Sequence, residues 1–361
     1  MASLFINISK AFKSRDWKHG EKRNRSVFIT ASRIVSVLSV ISVVGVIVLW
    51  QIWTKATPNC IHPAKRKEWR QLSTNEKYGY IQAVICLSEK ESLFEPGSSR
   101  YDDFAYMHVF EGTDTHYAAA FLPWHRYFIH TFEKALIEEC EFHGSLPYWD
   151  WALDAHDLAA SPIFDPSNGF GGNGSSVSAV QPKLFGGNCV MDGPFANATR
   201  HWQSKSNGHG FKILRNTHCL SRGFQTGKKK SMLGNRVTAT AINTVLGMPT
   251  YEEFVDGLEV QAHNSIPQFV QGDFYGLTAP NDPVFYLHHA QVDRLWWLWQ
   301  QQDAENRANT YQGPERNVRV YGNESLIGSS LEDVISLGNV SKPVRVHDVM
   351  KTESQVLCYR Y

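Results

Sequence analysis

The sequence predicts a mainly α protein whose helices pack as a bundle, with long irregular loops and an N-terminal transmembrane helix. Apolar residues recur at the spacing of amphipathic helices in residues 64–90, 101–112, 124–143 and 231–263. Glycine, serine, asparagine and proline dominate residues 152–225, which predicts loops in that part of the chain. A bundle of helices with one long connecting region is therefore the expected architecture.

Two shorter patterns complete this interpretation. The run Asn281-Asp282-Pro283 predicts a helix start, because aspartate caps a helix and proline suits its first turn. The helix should continue to about Gln302. No long alternation of apolar and polar residues predicts an extended strand, and only Val344–Val349 indicates short strands near the C-terminus.

The composition indicates a folded, globular chain. Its 361 residues suffice for one large domain, and the 42% that are hydrophobic can supply a core. A net charge of +1 gives no overall field that would attract nucleic acid, so no nucleic-acid partner is expected. Fifteen histidines exceed what an ordinary core needs, which makes metal binding worth testing.

The N-terminal segment has the pattern of a membrane anchor. Residues 34–53 are twenty uncharged residues, and twenty helical residues span a hydrocarbon core of about 30 Å. The preceding 33 residues carry eight basic side chains against only Asp16 and Glu21, so the positive-inside rule places the N-terminus in the cytosol. A cleaved signal peptide is the alternative, but no small-residue cleavage pattern follows the segment.

The chain is therefore expected to be a single-pass membrane protein whose C-terminal part is lumenal, in the secretory pathway. We divide it into a cytosolic basic tail, a transmembrane helix, a linker, a main domain and a C-terminal extension that packs on this domain. These five parts are residues 1–33, 34–53, 54–63, 64–305 and 306–361.

The cysteines and glycosylation sequons are compatible with this location. All six cysteines follow residue 55, as expected if the far side of the membrane is oxidising and they form disulfides in one of fifteen pairings: Cys60, Cys86, Cys140, Cys189, Cys219 and Cys358. Sequons at Asn173, Asn197, Asn323 and Asn339 suggest a glycoprotein. Asn7 and Asn24 also head sequons on the predicted cytosolic side, so this signal is weak.

Two groups of histidines lie inside aromatic, helix-linked segments. The first group is His108, His116 and His125, and the second is His263 with the adjacent pair His288 and His289. Helices of a bundle can converge their imidazoles into a dinuclear metal site. Imidazole suits copper, zinc, iron and nickel, so the residue type alone leaves the metal open.

The adjacent pair raises a question of orientation. His288 and His289 lie about 100° apart around a helix, so the two side chains cannot point in the same direction. His289 shares a face with Phe285 and Asp293, whereas His288 shares another with Val284 and Gln291. Spacing alone leaves open which of the two faces the metal.

The segments around these histidines resemble the copper-binding core of tyrosinases. The resemblance rests on FLPWHRYF, PYWDW and NDPVFYLHHAQVDRLWW, and on the spacing YDDF-x3-H-x7-H-x8-H, which is similar to the short fungal type. It covers roughly residues 60–305. It implies that residues 64–305 are a tyrosinase-like domain, a helical bundle holding two copper ions.

The resemblance also implies a set of metal ligands. His108, His116 and His125 resemble the three ligands of copper A, and His263 and His289 resemble two ligands of copper B. The family has a third copper-B histidine four residues after the first, where this chain has Pro267. Proline has no lone pair for a metal, so we expect a weakened copper-B site unless His288 or water replaces the missing ligand.

Further residues resemble functional positions of the family. Asn264 matches a residue that orients a water for deprotonating the phenol, and Glu259 is a candidate partner for that water. Phe285 and Asp293 share the His289 face of the helix. Phe285 is expected to act as a packing wedge beside the site, and Asp293 to accept a hydrogen bond from it. Asp114 occupies the position of a cysteine that some relatives cross-link to a histidine, so no thioether is expected.

The implied function is copper-dependent oxidation. The resemblance implies ortho-hydroxylation of phenols or tyrosyl groups, or oxidation of catechols, with dioxygen. It suggests a setting in fungal secondary metabolism, in the biosynthesis of mycotoxins of the cyclic-peptide kind. The alternative is a catalytically impaired binding or scaffold protein, since a copper-B ligand position is Pro267. An oxygen carrier fits poorly with a membrane anchor and a single domain.

Overall fold

The computed structural model describes residues 60–176, 186–206, 211–322 and 328–361. The predicted cytosolic tail and transmembrane helix, and most of the linker, lie outside the described residues. So does the sequon asparagine Asn323. Within the described ranges, no helix has both the length and the apolar character needed to cross a bilayer.

The prediction of a mainly α fold is confirmed. Eleven α-helices are found within the described residues: α1 Thr74–Glu89, α2 Asp102–Thr115, α3 Phe121–Cys140, α4 Gly227–Asn235, α5 Ala239–Leu246, α6 Tyr251–Asp256, α7 Asn264–Val270, α8 Val284–Gln302, α9 Ala304–Arg307, α10 Val318–Tyr321 and α11 Val346–Val349. Short 3-10 turns link several of them, at Trp69–Gln71, Trp151–Asp154, Leu158–Ala160, Pro162–Phe164, Gly272–Tyr275, Ala279–Asn281 and Gly338–Val340.

The core of the bundle is formed by α1, α2, α3 and α8. Helix α3 packs against α1, α2 and α8, and its inward face is aromatic. The ring of Phe132 stacks on Tyr286 of α8 at 3.4 Å between centroids, and both rings meet Phe104 of α2 edge-on. Burial of such rings contributes roughly 1.5–3 kcal/mol for each fully buried large side chain. The central helices are therefore held by large apolar contacts.

The start of α8 follows the predicted pattern. The helix begins at Val284, directly after Pro283. One carboxylate oxygen of Asp282 accepts a hydrogen bond from the Val284 N–H at 3.0 Å. The same carboxylate is bound in two places by the guanidinium of Arg222, at 2.6 and 2.8 Å, with both side chains fully buried. This pair fixes the helix that carries the adjacent histidines.

Residues 231–263, predicted to be helical, are divided among three short helices and a π-helix. Thr238 and Thr250 cap α5 and α6 by accepting backbone N–H groups, so each begins a new helix. The π-helix Gly257–His263 continues from α6 and passes directly into α7. Pro267 lacks the N–H that would bind the carbonyl of His263 in a regular α-helix, and the wider π turns end at this histidine.

In the part of the chain that the structure describes, eight strands form four two-stranded sheets: β1 Ala64–Lys65, β2 Asn188–Cys189, β3 Thr199–Ser206, β4 Phe211–Cys219, β5 Ser221–Arg222, β6 Val334–Ile335, β7 Val344–Arg345 and β8 Tyr359–Arg360. The pairs are β1 with β8 in parallel, and β2 with β5, β3 with β4 and β6 with β7 antiparallel. The expected strand at the C-terminus covers only Val344–Arg345, because a helical turn begins at Val346.

The prediction of loops throughout residues 152–225 is wrong for the antiparallel pair β3–β4. The inward positions of β3 are Arg200, Trp202 and Ser204. Two of these three buried residues are polar. Buried and exposed positions therefore alternate along β3, but apolar and polar residues do not alternate in its sequence. Arg200 tolerates burial because it donates to the carbonyl of Asn281 at 2.6 Å and its guanidinium lies over the ring of Tyr101.

The expectation of disulfides is confirmed. Cys60 pairs with Cys358, Cys86 with Cys140 and Cys189 with Cys219, which leaves no free cysteine among the described residues. The first bond joins the two ends of the described chain, beside the parallel pair β1–β8. Closing a loop of this length restricts the unfolded chain and should stabilise the fold by roughly 2–5 kcal/mol.

A buried charge cluster attaches the C-terminal residues to the bundle. Asp293 of α8 accepts from the guanidinium of Arg126 and from the hydroxyls of Tyr359 and Tyr361, the last at 2.6 Å. Arg66 completes the cluster by contacting Asp293 at 3.4 Å. Asp293 was expected to hydrogen-bond the histidine site. That expectation is wrong, because its oxygens are used by these partners.

Candidate metal centre

The first histidine group converges as its spacing predicts. His108 lies on α2, His116 directly follows that helix, and His125 lies in the first turns of α3. Each offers a nitrogen, and the three nitrogens lie within 4.8 Å of one another. The Nε2 atoms of His108 and His125 are 3.2 Å apart. Residues separated by one loop in the sequence therefore form one cluster.

Backbone carbonyls orient all three rings of this group. The Nδ1 of His108 donates to the Leu277 carbonyl at 2.6 Å, that of His116 to Gly112 at 2.8 Å and that of His125 to Phe121 at 2.7 Å. A carbonyl only accepts, so each Nδ1 carries a proton and each neutral ring keeps its lone pair on Nε2. This arrangement is typical of metal-binding histidines.

The second group contains three imidazoles. His263 ends the π-helix, and His288 and His289 lie in the first turns of α8. Their nitrogens also lie within 4.8 Å of one another, and the Nε2 atoms of His263 and His289 are 3.3 Å apart. The sequence left open whether His288 or His289 faces the metal. In the structure both do, because their ring centroids lie 4.8 and 4.9 Å from that of His263.

The two groups adjoin each other. The rings of His125 and His289 stack at 4.2 Å with an interplanar angle of 6°. Phe285 packs on His289 at 4.3 Å and on His108 at 5.1 Å, so its predicted role as a packing wedge agrees with the structure. Asp114, by contrast, is paired with Arg316 on the surface at 3.0 Å.

The chemistry of the two clusters fits metal ions. Burial lowers the pKa of His116 to about 4 and that of His263 to about 3, and it lowers the pKa of His108, His125 and His289 well below the ordinary value. The rings are therefore neutral at pH 7. Neutral rings that face each other through unprotonated nitrogens repel unless a cation lies between them. Imidazole nitrogen is a preferred donor for copper.

The two proposed proton-handling residues meet at Tyr117. The amide oxygen of Asn264 accepts from Nδ1 of His263 at 3.0 Å, and its nitrogen donates to the Tyr117 hydroxyl at 3.1 Å. The carboxylate oxygens of Glu259 accept from the Tyr117 N–H at 3.0 and 2.9 Å. Burial raises the pKa of Glu259 to about 8. Tyr117 has a backbone φ of 51°, which aims its N–H at this carboxylate.

A cavity of about 520 Å³ opens onto the clusters. Its floor includes His108, His116, His263, His288 and His289, and its wall includes Pro267, Phe274 and Tyr117. Two arginines, Arg236 and Arg319, also line it. None of the described lining residues is an aspartate or a glutamate. The guanidinium of Arg319 lies 3.6 Å from the Tyr117 ring centroid, which holds it at the cavity wall.

Comparison with known proteins decides the family. Residues 98–302 match the common central domain of tyrosinase. The chain belongs to the tyrosinase family. Tyrosinases bind two copper ions, and the two histidine triads of this domain are positioned to hold metal.

The relatives of this tyrosinase-family chain include fungal proteins. It is 46% identical over 312 residues to the tyrosinase-like protein phomQ1 of Diaporthe leptostromiformis, covering 85% of this chain and 80% of that protein. It is 42% identical over 309 residues to the tyrosinase ustQ of Aspergillus flavus, covering 85% and 82%. The structure is similar to a variant polyphenol oxidase of Thermothelomyces thermophila, with a TM-score of 0.71, 30% identity and coverage of 86% and 92%.

Two features of the tyrosinase site were not predicted from the sequence. No sequence pattern indicated Tyr117, because its partners Asn264 and Glu259 lie about 140 positions away in the sequence. His288 had a partial signal, since the sequence marked the adjacent pair but gave no way to place its ring. Pro267 lines the cavity beside these histidines, as its position four residues after His263 implies.

Proposed function

We propose that this chain is a copper-dependent oxidase of phenolic compounds. It would ortho-hydroxylate phenols or tyrosyl groups, or oxidise catechols, with dioxygen as the oxidant. The observation that carries this proposal is the pair of adjoining histidine triads at the floor of an open cavity. Two copper ions held by these triads would supply the redox chemistry, and a substrate entering the cavity would reach the histidines of both.

The ligand assignment is part of the proposal. His108, His116 and His125 would hold copper A through Nε2, because their Nδ1 protons are engaged by carbonyls. His263 and His289 would hold copper B. The stacking of His125 on His289 supports two ions in close proximity, as a two-metal site requires.

Asn264 and Glu259 are proposed to handle the phenolic proton. The Asn264 amide lies beside His263 and can hold a water at the entrance to the centre. Glu259 does not line the cavity and, with a pKa of about 8, is mostly protonated near neutral pH, so it would support that water indirectly, by holding Tyr117 beside Asn264. Tyr117 links the two by its hydroxyl and its N–H, which fixes their relative position.

The cavity supports a substrate larger than a simple phenol. Its volume of about 520 Å³ exceeds the need of one phenolic ring. Arg236 and Arg319, without an acidic neighbour among the described lining residues, favour a phenol that bears a carboxylate. A tyrosyl peptide has such groups. We further propose, from the resemblance to short fungal tyrosinases, that the reaction belongs to fungal secondary metabolism, in mycotoxin or cyclic-peptide biosynthesis.

We also propose that residues 34–53 anchor the protein in a membrane with the copper domain in the lumen of the secretory pathway. The three disulfides support an oxidising compartment. Asn173, Asn197 and Asn339 are exposed and accessible to glycosylation. Endoglycosidase treatment and protease protection of membrane vesicles test this: unglycosylated protein that proteases digest in sealed vesicles would contradict the orientation.

The reaction is tested on the full-length chain loaded with copper. Oxygen uptake is measured with a simple catechol, a neutral phenol and a tyrosine-containing peptide. We expect oxidation by the parent chain and none by His125→Ala or His289→Ala. His130→Ala is a matched control, since His130 lies on the same helix α3 outside both triads. Equal uptake by the triad variants and the parent would contradict the proposal.

Pro267 favours a second candidate function. A chain with a defective copper-B site would keep the fold and copper A and would act as a binding or scaffold protein. In that case the copper-loaded chain would oxidise none of the three substrates, although phenolic compounds would still bind in the cavity. Calorimetric titration with the tyrosine-containing peptide, run beside the oxygen-uptake assay, separates binding without turnover from catalysis.

A further inference from the structure

We propose that His288 is the third ligand of copper B, supplying the imidazole that Pro267 cannot. This assignment rests on the copper centre of the family and is independent of which substrate is oxidised. It changes the expected consequence of Pro267, because the centre would retain three imidazoles for each metal ion. The ligand is recruited from the adjacent position on α8 instead of from one helical turn after His263.

The first support is that His288 is fully buried and unsatisfied. Its exposed fraction is 0%, and neither Nδ1 nor Nε2 has a hydrogen-bond partner among the described residues. Its remaining neighbours are aromatic: Trp151 at 5.1 Å and Phe274 at 5.6 Å between ring centroids. Burying an imidazole with two unpaired nitrogens costs free energy, which binding of a metal ion to one of them would offset.

Two other histidines of this chain show how an imidazole outside the centre is satisfied. His218, also buried, contacts the Asp273 carboxylate through Nε2 at 2.8 Å and the Asn216 carbonyl through Nδ1 at 2.7 Å. The half-buried His201 contacts Asp102 at 2.8 Å. A merely structural role for His288 would lead us to expect a comparable partner. One of its unpartnered nitrogens lies instead beside the ligand nitrogens of His263 and His289.

The second support is position. A nitrogen of His288 lies within 4.8 Å of the ligand nitrogens of both His263 and His289, and its ring borders the cavity. His263 approaches from the end of the π-helix, and the adjacent pair approaches from the first turns of α8. The buried Arg222–Asp282 pair fixes the start of α8, so both neighbours are held at this point. The three rings therefore surround one location.

The third support comes from Pro267. It lines the same cavity but offers neither a lone pair nor an N–H. A ring at that position would be a fourth imidazole beside His263, His288 and His289. Because proline occupies this position, the third nitrogen of the cluster is supplied by His288.

The test measures copper content in the full-length chain, without oxygen or substrate. We compare the parent with His288→Phe, which keeps an aromatic ring of similar shape, and with the control His130→Phe. After dialysis against a weak chelator, we expect about two copper ions per chain for the parent and the control, and about one for His288→Phe. The double variant His288→Phe with Pro267→His should return to about two ions per chain, because the added imidazole replaces the lost one.

Retention of two copper ions with unchanged affinity by a folded His288→Phe variant would overturn the proposal. If that variant fails to fold, the copper-loaded parent decides by crystallography. A nitrogen of His288 at the roughly 2.0–2.1 Å of a metal–imidazole bond supports the proposal, and a clearly longer separation overturns it. A parent that holds two ions but oxidises no phenol would contradict the proposed function and leave this ligand assignment standing.

Discussion

The imidazole of His125 lies face to face with that of His289, at 4.2 Å between ring centroids and 6° between ring planes. His125 belongs to α3 and His289 to α8, two helices that pack together in the core of the bundle. Their contact brings the two histidine triads into one centre. Residues on both helices therefore determine whether the two metal sites form together.

Copper should be retained under mildly acidic conditions. Burial lowers the pKa of His116 to about 4 and that of His263 to about 3, so protons compete with copper for these rings only near or below those values. We expect full copper content at pH 5 and release as the pH falls toward 4 and 3. Dialysis at a series of pH values followed by metal analysis measures this. Half-release between pH 6 and 7 would contradict the prediction.

Glu259→Gln should remove a pH dependence of stability from the copper-free protein. The pKa of Glu259 in the folded protein is about 8, whereas in the unfolded chain this carboxyl ionises near the ordinary glutamate value of 4.5. The folded state therefore holds a proton that the unfolded state releases, so the free energy of unfolding falls as the pH rises from about 4.5 to about 8. Glutamine cannot ionise, so we expect the variant's Tm to rise relative to the parent across this window.

Thermal unfolding of both proteins at pH 5, 6, 7 and 8 gives the comparison. The buried histidines act in the opposite direction below about pH 6.5, because their lowered pKa values make the unfolded chain bind more protons there. They are common to both proteins and cancel in the difference. A Tm difference that stays constant from pH 5 to 8 would mean that Glu259 does not hold its proton.

Asp282→Ala should be strongly destabilising. It leaves the fully buried guanidinium of Arg222 without its carboxylate and removes the acceptor of the Val284 N–H. Loss of one partner of a buried ion pair costs about 3–5 kcal/mol, or roughly 10 °C in Tm for a domain of this size. Asp157→Ala is the control, because the Asp157–Lys230 pair is on the surface and contributes about 0–1 kcal/mol. Equal Tm changes in the two variants would refute the role assigned to the buried pair.

Arg319→Gln should weaken recognition of carboxylate-bearing substrates. Arg319 is exposed at the cavity wall, so we expect the KM for a tyrosine-containing peptide to rise roughly two- to five-fold. The KM for a neutral catechol should not change. Arg345→Gln is the control, since Arg345 pairs with Glu332 on the surface and does not line the cavity. An equal rise in KM for both substrates would point to a loss of cavity shape, not of charge recognition.

The sequence predicted the elements whose signals are local. Helical spacing and the Asn281-Asp282-Pro283 start gave α2, α3 and α8, and family resemblance gave the convergence of His108, His116 and His125. The β3–β4 pair was missed because its buried positions include Arg200 and Ser204, whose burial depends on partners elsewhere in the fold.

The remaining misses have a common physical cause. Asp293 lies on the same helical face as His289, but its partners Arg66, Arg126 and Tyr361 come from distant parts of the chain. Likewise, the role of the His288 ring depends on where the π-helix places His263. The spacing of residues along α8 carries no information about that position. Long-range contacts, which no local pattern records, decided both positions.

Copper content per chain, measured on the purified full-length protein and two triad variants, is the decisive test of whether both histidine triads hold metal. The parent should retain about two ions after dialysis, and His125→Ala and His289→Ala should each retain at most about one, since each variant opens one triad. A parent that retains about one ion, lost in His125→Ala and unaffected in His289→Ala, would show that the second triad holds no metal and would contradict the account.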